Sequence, residues 1–124
     1  MIKVVTFIKR KAGMPVEAFQ AYWREIHGPL AAGIPSLRRY IQSHTRRAAY
    51  DAGRAPAWDG VASAWFDSTD AIADLIATQR YAASLADRAS FVAPGATVAI
   101  VTREHVIVAQ ARIRPFRQRR ENRR

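Results

Sequence analysis

The 124-residue chain contains no cysteine, which excludes disulfides, a thiol nucleophile and thiolate metal sites. No apolar run approaches the roughly 20 residues of a membrane span. Glycine and proline number six each, too few for a collagen-like or low-complexity chain. The three histidines, His27, His44 and His105, lack H-x-H and H-E-x-x-H spacing, so they give a metal site little support. There is no Gly-rich phosphate loop and no G-x-S-x-G nucleophile elbow. The opening Met1-Ile2-Lys3-Val4-Val5-Thr6-Phe7-Ile8 alternates like a strand and lacks the apolar core of a signal peptide. These absences lead to an expected cytoplasmic location, no membrane association and no cofactor.

A composition of 49% hydrophobic and 24% charged residues describes one globular domain with a modest core. Acidic residues are scarce, ten against twenty lysines and arginines, for a formal charge of +10. That excess divides unevenly. Residues 112–124 hold seven arginines and one glutamate, a net +6, whereas residues 1–111 hold thirteen basic and nine acidic residues, a net +4. The expected organisation is a folded domain over 1–111 and an arginine-rich tail over 112–124. Such a tail attracts polyanions weakly and without specificity.

Hydrophobic periodicity predicts the order β-α-β-β-α-β. The strands are 2–9, 37–45, 60–66 and 97–108; the helical regions are 15–27 and 68–92, and 46–59 is a long loop. This is the ferredoxin-like arrangement, α+β, with a four-stranded antiparallel sheet and helices on one face. The first and last strands are apolar on both faces, unlike an antiparallel sheet with one wet side. Two helices cover only one face. A second copy packed sheet to sheet, a homodimer, is the expected cover for the other.

The segment Phe19 to Leu30 carries the richest chemistry. Phe19, Trp23 and Ile26 fall at i, i+4 and i+7, one apolar stripe, and His27 lies beside it just before Gly28-Pro29, an expected helix stop. An imidazole there can exchange protons near neutrality. His44 is the second candidate, sharing a strand face with Tyr40 and Gln42. Tyr22 and Trp23 can line a cavity as well as a core. Asp87 can orient a histidine or remain a solvated helix carboxylate, and His105 has the weakest claim.

The pattern Phe19-x-x-Tyr22-Trp23-x-x-x-His27-x-Pro29-Leu30, with Pro35-x-Leu37-Arg38-Arg39-Tyr40 and Leu85-Ala-Asp87-x-x-x-Phe91, resembles the EthD family of dimeric α/β-barrel proteins. The likeness covers roughly residues 1–108. It implies a small, mostly cofactor-free protein of catabolic or polyketide chemistry. The wider superfamily, which includes lyases, isomerases, cyclases and monooxygenases, guides fold better than reaction.

The expected function is acid–base chemistry, such as dehydration, decarboxylation, isomerisation or cyclisation, on a small hydrophobic or aromatic carbonyl or hydroxy compound. His27 and His44 are the expected proton-transfer groups, with Tyr22, Trp23, Tyr40, Gln42 and Asp87 around the substrate. One alternative is a non-catalytic accessory or small-molecule-binding dimer, and another is polyanion or RNA binding through the tail. RNA-recognition domains share the element order, but their third strand carries aromatics in a basic octapeptide. Here it reads Asp59-Gly-Val-Ala-Ser-Ala-Trp-Phe-Asp67, so nucleic-acid binding through the sheet is not expected.

Overall fold

The computed structural model describes residues 1–110; the arginine-rich tail expected over 112–124 lies outside them. Four strands, β1 (Ile2–Ile8), β2 (Arg39–His44), β3 (Gly60–Phe66) and β4 (Val98–Arg103), form one sheet in the order β2-β3-β1-β4. All neighbours run antiparallel. The helices α1 (Val16–Tyr22), α2 (Gly28–Ala32), α4 (Thr69–Ile76) and α5 (Gln79–Asp87) complete the ferredoxin-like α+β fold. The expected 46–59 loop contains one further helical turn, α3 (Arg47–Tyr50).

Register decides what faces the helices. Val4 pairs with Ala64, and Ala64 with Tyr40; Thr6 pairs with Ala62, and Ala62 with Gln42. The period of two carries these residues to one side of the sheet. Lys3, Val5 and Phe7 go to the other, beside Trp65, Ser63 and Val61. That open face has a charged end and an apolar end. Lys3 and Arg39 lie 5.0 and 4.9 Å from the centre of Trp65, whose indole N–H donates to Glu104. Ile41, Val98 and Ile100 are exposed, and Trp58 folds over Phe7 with ring centres 5.5 Å apart.

The core gathers under the first helical region. Ile8, Phe19, Trp23, Phe91 and Val92 are buried together, with Phe19 5.7 Å from both Trp23 and Phe91 between ring centres. Gly60 is required where Trp23 crosses β3, because a Cβ there would collide with the six-membered ring of Trp23. Gly60→Ala is expected to cost about 1–3 kcal/mol through overpacking. The check is a lower urea midpoint at unchanged slope. A second tie holds the 46–59 excursion: the buried Asp59 carboxylate accepts from the Arg10 backbone N–H (2.7 Å) and the Tyr50 hydroxyl (2.5 Å). Burial, with the Asp59 hydrogen bond behind it, pushes the Tyr50 hydroxyl up to about 12.

Four sequence expectations are corrected. Gly28-Pro29 does not stop the helix. Residues Trp23–His27 form a π-turn in which Gly28 N–H reaches the Trp23 carbonyl, five residues back, and α2 continues to Ala32. Proline lacks an N–H and crowds the preceding turn; widening that turn by one residue lets Pro29 begin the next segment, where no N–H is missed. The final strand ends at Arg103, so Val106, Ile107 and Val108 are exposed rather than paired. The second strand is likewise shorter than 37–45. Ile26, expected on the apolar stripe with Phe19 and Trp23, is 51% exposed, and the π-turn buries Trp23 and His27 instead. Ser68 and Thr78 cap α4 and α5 by accepting from the N–H groups of Ala71 and Tyr81.

Candidate active site

A cavity of about 200 Å³ lies between the sheet and the helices. Alternation along β1 and β3 supplies its floor: Val4, Thr6 and Ile8, with Ala62 and Ala64 opposite. The two alanines leave the room that larger strand residues would fill. Trp23, His27 and Ala31 come from the first helical region, and Ile72 and Leu75 from α4. The lining is mostly apolar, with few polar groups, as small-molecule sites are.

His27 is 6% exposed and brings an imidazole to that wall. The π-turn places its Nδ1 3.0 Å from Asp87 Oδ2. The Tyr22 hydroxyl donates to the other oxygen, Oδ1, at 2.6 Å. Because the carboxylate only accepts, Nδ1 carries the proton and Nε2 keeps the lone pair. Tyr22, Asp87 and His27 thus form a chain of two hydrogen bonds that fixes ring and tautomer together. Phe91 supports it from below, 5.2 Å from Tyr22 and 5.0 Å from His27 between ring centres. Asp87 holds the Tyr22 hydroxyl above its usual pKa, so it stays a donor. Burial pushes His27 below its ordinary pKa, Asp87 pulls it partly back, and the Arg88 charge pushes it down again.

His44 has a different role. It stacks on Trp23 with ring centres 4.3 Å apart. Gln42 donates from Nε2 to the Trp23 carbonyl at 2.8 Å, so its Oε1 faces His44 Nε2, also at 2.8 Å. His44 must therefore carry its proton on Nε2 and leave Nδ1 bare. Among the described residues that Nδ1 is buried without a partner, and burial followed by the Arg24 charge lowers the pKa. Protonating Nδ1 would bury an N–H with no acceptor. His44 does not line the cavity; the expected second proton-transfer residue instead holds Trp23 in place.

Trp23 and Tyr40, expected around a substrate, line the cavity, whereas Tyr22, Gln42 and Asp87 stand behind the residues that do. His105 is exposed beyond β4. Sequence reasoning missed Tyr81, Ser84 and Arg88, which also line the cavity. Their spacing from Tyr81, i, i+3 and i+7, is the signal that could have found them. Among the described residues no three His, Asp or Glu side chains converge as metal ligands, and no helix is long and apolar enough to cross a membrane.

His27 and His44 both have folded pKa values below the unfolded value near 6.5. The unfolded chain therefore binds protons first as pH falls, and stability rises with pH across this range. The contribution is complete above about pH 6.5 and is lost as pH falls from there through the folded values. Urea midpoints are expected to be flat above neutrality and to decline below about pH 6.5, before ordinary carboxylates titrate near pH 4. His44→Gln should make that acid limb shallower.

The EthD domain family matches residues 11–95. No curated protein matches the chain. Among solved structures, an EthD family protein of Bacillus halodurans C-125 superposes with a TM-score of 0.68 at 17% identity, over 85% of this chain and 99% of that one. A dimeric protein of ferredoxin-like fold from Bacteroides fragilis gives 0.59 at 15% identity, over 82% and 93%. An antibiotic biosynthesis monooxygenase gives 0.56 at 12% identity, over 85% and 99%. At these identities the structures share the fold, and the family match spans more than half of the chain: this protein belongs to the EthD family.

Proposed function

We propose that this protein is an enzyme that moves a proton at an enolisable carbon of a small hydrophobic or aromatic carbonyl or hydroxy compound. The carrying observation is the Tyr22–Asp87–His27 chain at the wall of an apolar cavity. His27 Nε2 takes the proton adjacent to the carbonyl, and the C–H electron pair moves to a C=C bond as the carbonyl oxygen becomes an enolate. Asp87 stabilises the imidazolium so formed, and the proton is then returned to carbon or delivered to a leaving group. A histidine held neutral at pH 7 by burial is ready to act as the base. Dehydration, isomerisation and cyclisation of such compounds use this step, whereas decarboxylation reaches the enolate by loss of CO2 and shares only the delivery of a proton to carbon.

The working unit in this reading is a homodimer. Ile41, Val98 and Ile100 leave an apolar patch on the open sheet face, and the similar Bacteroides fragilis protein is described as dimeric. Light scattering on the purified protein should give twice 13.9 kDa. Proton abstraction is tested by following deuterium uptake from D2O into acetophenone and 2-tetralone by proton NMR. Wild-type protein is expected to accelerate uptake and His27→Ala to return it to background. No acceleration by wild type with any aryl ketone would remove the enzymatic reading.

A further inference from the structure

We propose that the cavity selects ligands bearing an anionic oxygen, a carboxylate on a small apolar or aromatic body, and that Arg88 and Ser84 bind it. The inference rests on the cavity being the substrate site, as proposed above, and narrows its substrate class. Ser84 on α5 and Arg88, directly after it, are four residues apart on one helical face, and both line the cavity with His27. Ser84 is 7% exposed and sets its hydroxyl-bearing side chain in the cavity lining. Arg88 is half-buried and lies within 4 Å of no carboxylate among the described residues, whereas the other half-buried cations, Lys3 and Arg10, each have one.

A half-buried guanidinium without a counter-ion is costly and is resolved by an anion that arrives with the ligand. Its fork of N–H donors matches a carboxylate in geometry as well as charge. The remaining walls are apolar, which restricts the rest of the ligand to hydrocarbon or aromatic groups. Arg88 also borders an outer depression with Lys11 and Pro94, so it stands between the cavity and the outside, where an incoming anion meets it first. Its charge reaches His27, where it disfavours the imidazolium; a bound carboxylate would offset that effect.

Calorimetric titration of the full-length protein with phenylacetate and cinnamate, against phenylacetamide and cinnamamide, tests this without turnover. The acids are expected to bind about ten- to a hundredfold more tightly than the amides. Arg88→Gln should abolish that preference while leaving amide binding unchanged, Arg88→Lys should restore part of it, and Ser84→Ala should reduce it. His27→Gln should keep the preference, so a failed proton-exchange assay and a failed anion preference are separate results. Equal affinity for acid and amide, a preference that survives in Arg88→Gln, or no acid binding would overturn the proposal.

Discussion

Asp87→Asn is expected to slow deuterium uptake into an aryl ketone by about 10²- to 10⁴-fold, the range a positioned acid–base group contributes, with the fold retained. Asp87 offers two acceptor oxygens to two donors, the Tyr22 hydroxyl and His27 Nδ1–H. Asparagine has only one acceptor. When Tyr22 keeps it, the amide N–H₂ faces His27 and the imidazole must accept at Nδ1, so the proton moves to Nε2 and the base is lost from the cavity side. The negative charge that would hold the imidazolium is lost as well. Tyr22→Phe removes one donor but neither the acceptor nor the charge, so it should slow uptake by no more than about tenfold, as one hydrogen bond is worth. Measured together, the two variants separate the charge of Asp87 from the support that Tyr22 gives it.

Phe91→Ala is expected to cost about 3–5 kcal/mol of folding stability, read as a lowered urea midpoint. The ring is 1% exposed and touches Phe19, Tyr22 and His27. Few positions join the core to the site so directly. Its loss empties space beneath both hydrogen-bonding partners of Asp87, so residual folded protein should also show weakened proton exchange. Phe91→Leu keeps most of the volume and should recover most of the stability but less of the activity, because it offers no flat face to the imidazole.

The path from sequence to site is uneven for physical reasons. Period-two patterning was enough to place β3 at Gly60–Phe66 and to put Tyr40, Gln42 and His44 on one face of β2. Of the expected stripe Phe19, Trp23 and Ile26, the first two lie in the core and Ile26 is exposed. Yet the π-turn was hidden, because Gly28-Pro29 reads as a stop unless the lost hydrogen bond is rerouted to the carbonyl five residues back. The division of labour between the histidines was hidden too. It depends on Gln42, whose amide orientation is set by a carbonyl nineteen positions away, a contact no local pattern contains. Asp87 lies sixty positions from His27, and the resemblance to the EthD family rather than any periodicity brought it forward. Ser84 and Arg88 were missed because only the cavity between helix and sheet gives their side chains a common place to face.

The central claim is that one histidine presents a basic nitrogen to the cavity and the other does not. Long-range ¹⁵N–¹H NMR of the two imidazoles tests it most directly, because ring-nitrogen shifts report the tautomer. His27 is expected as the Nδ1–H form with Nε2 unprotonated, titrating below its ordinary pKa, and Asp87→Asn should change that pattern. His44 is expected as the Nε2–H form and should remain neutral into the acid range. An Nε2–H tautomer at His27, or an imidazolium there at pH 7, would contradict the account.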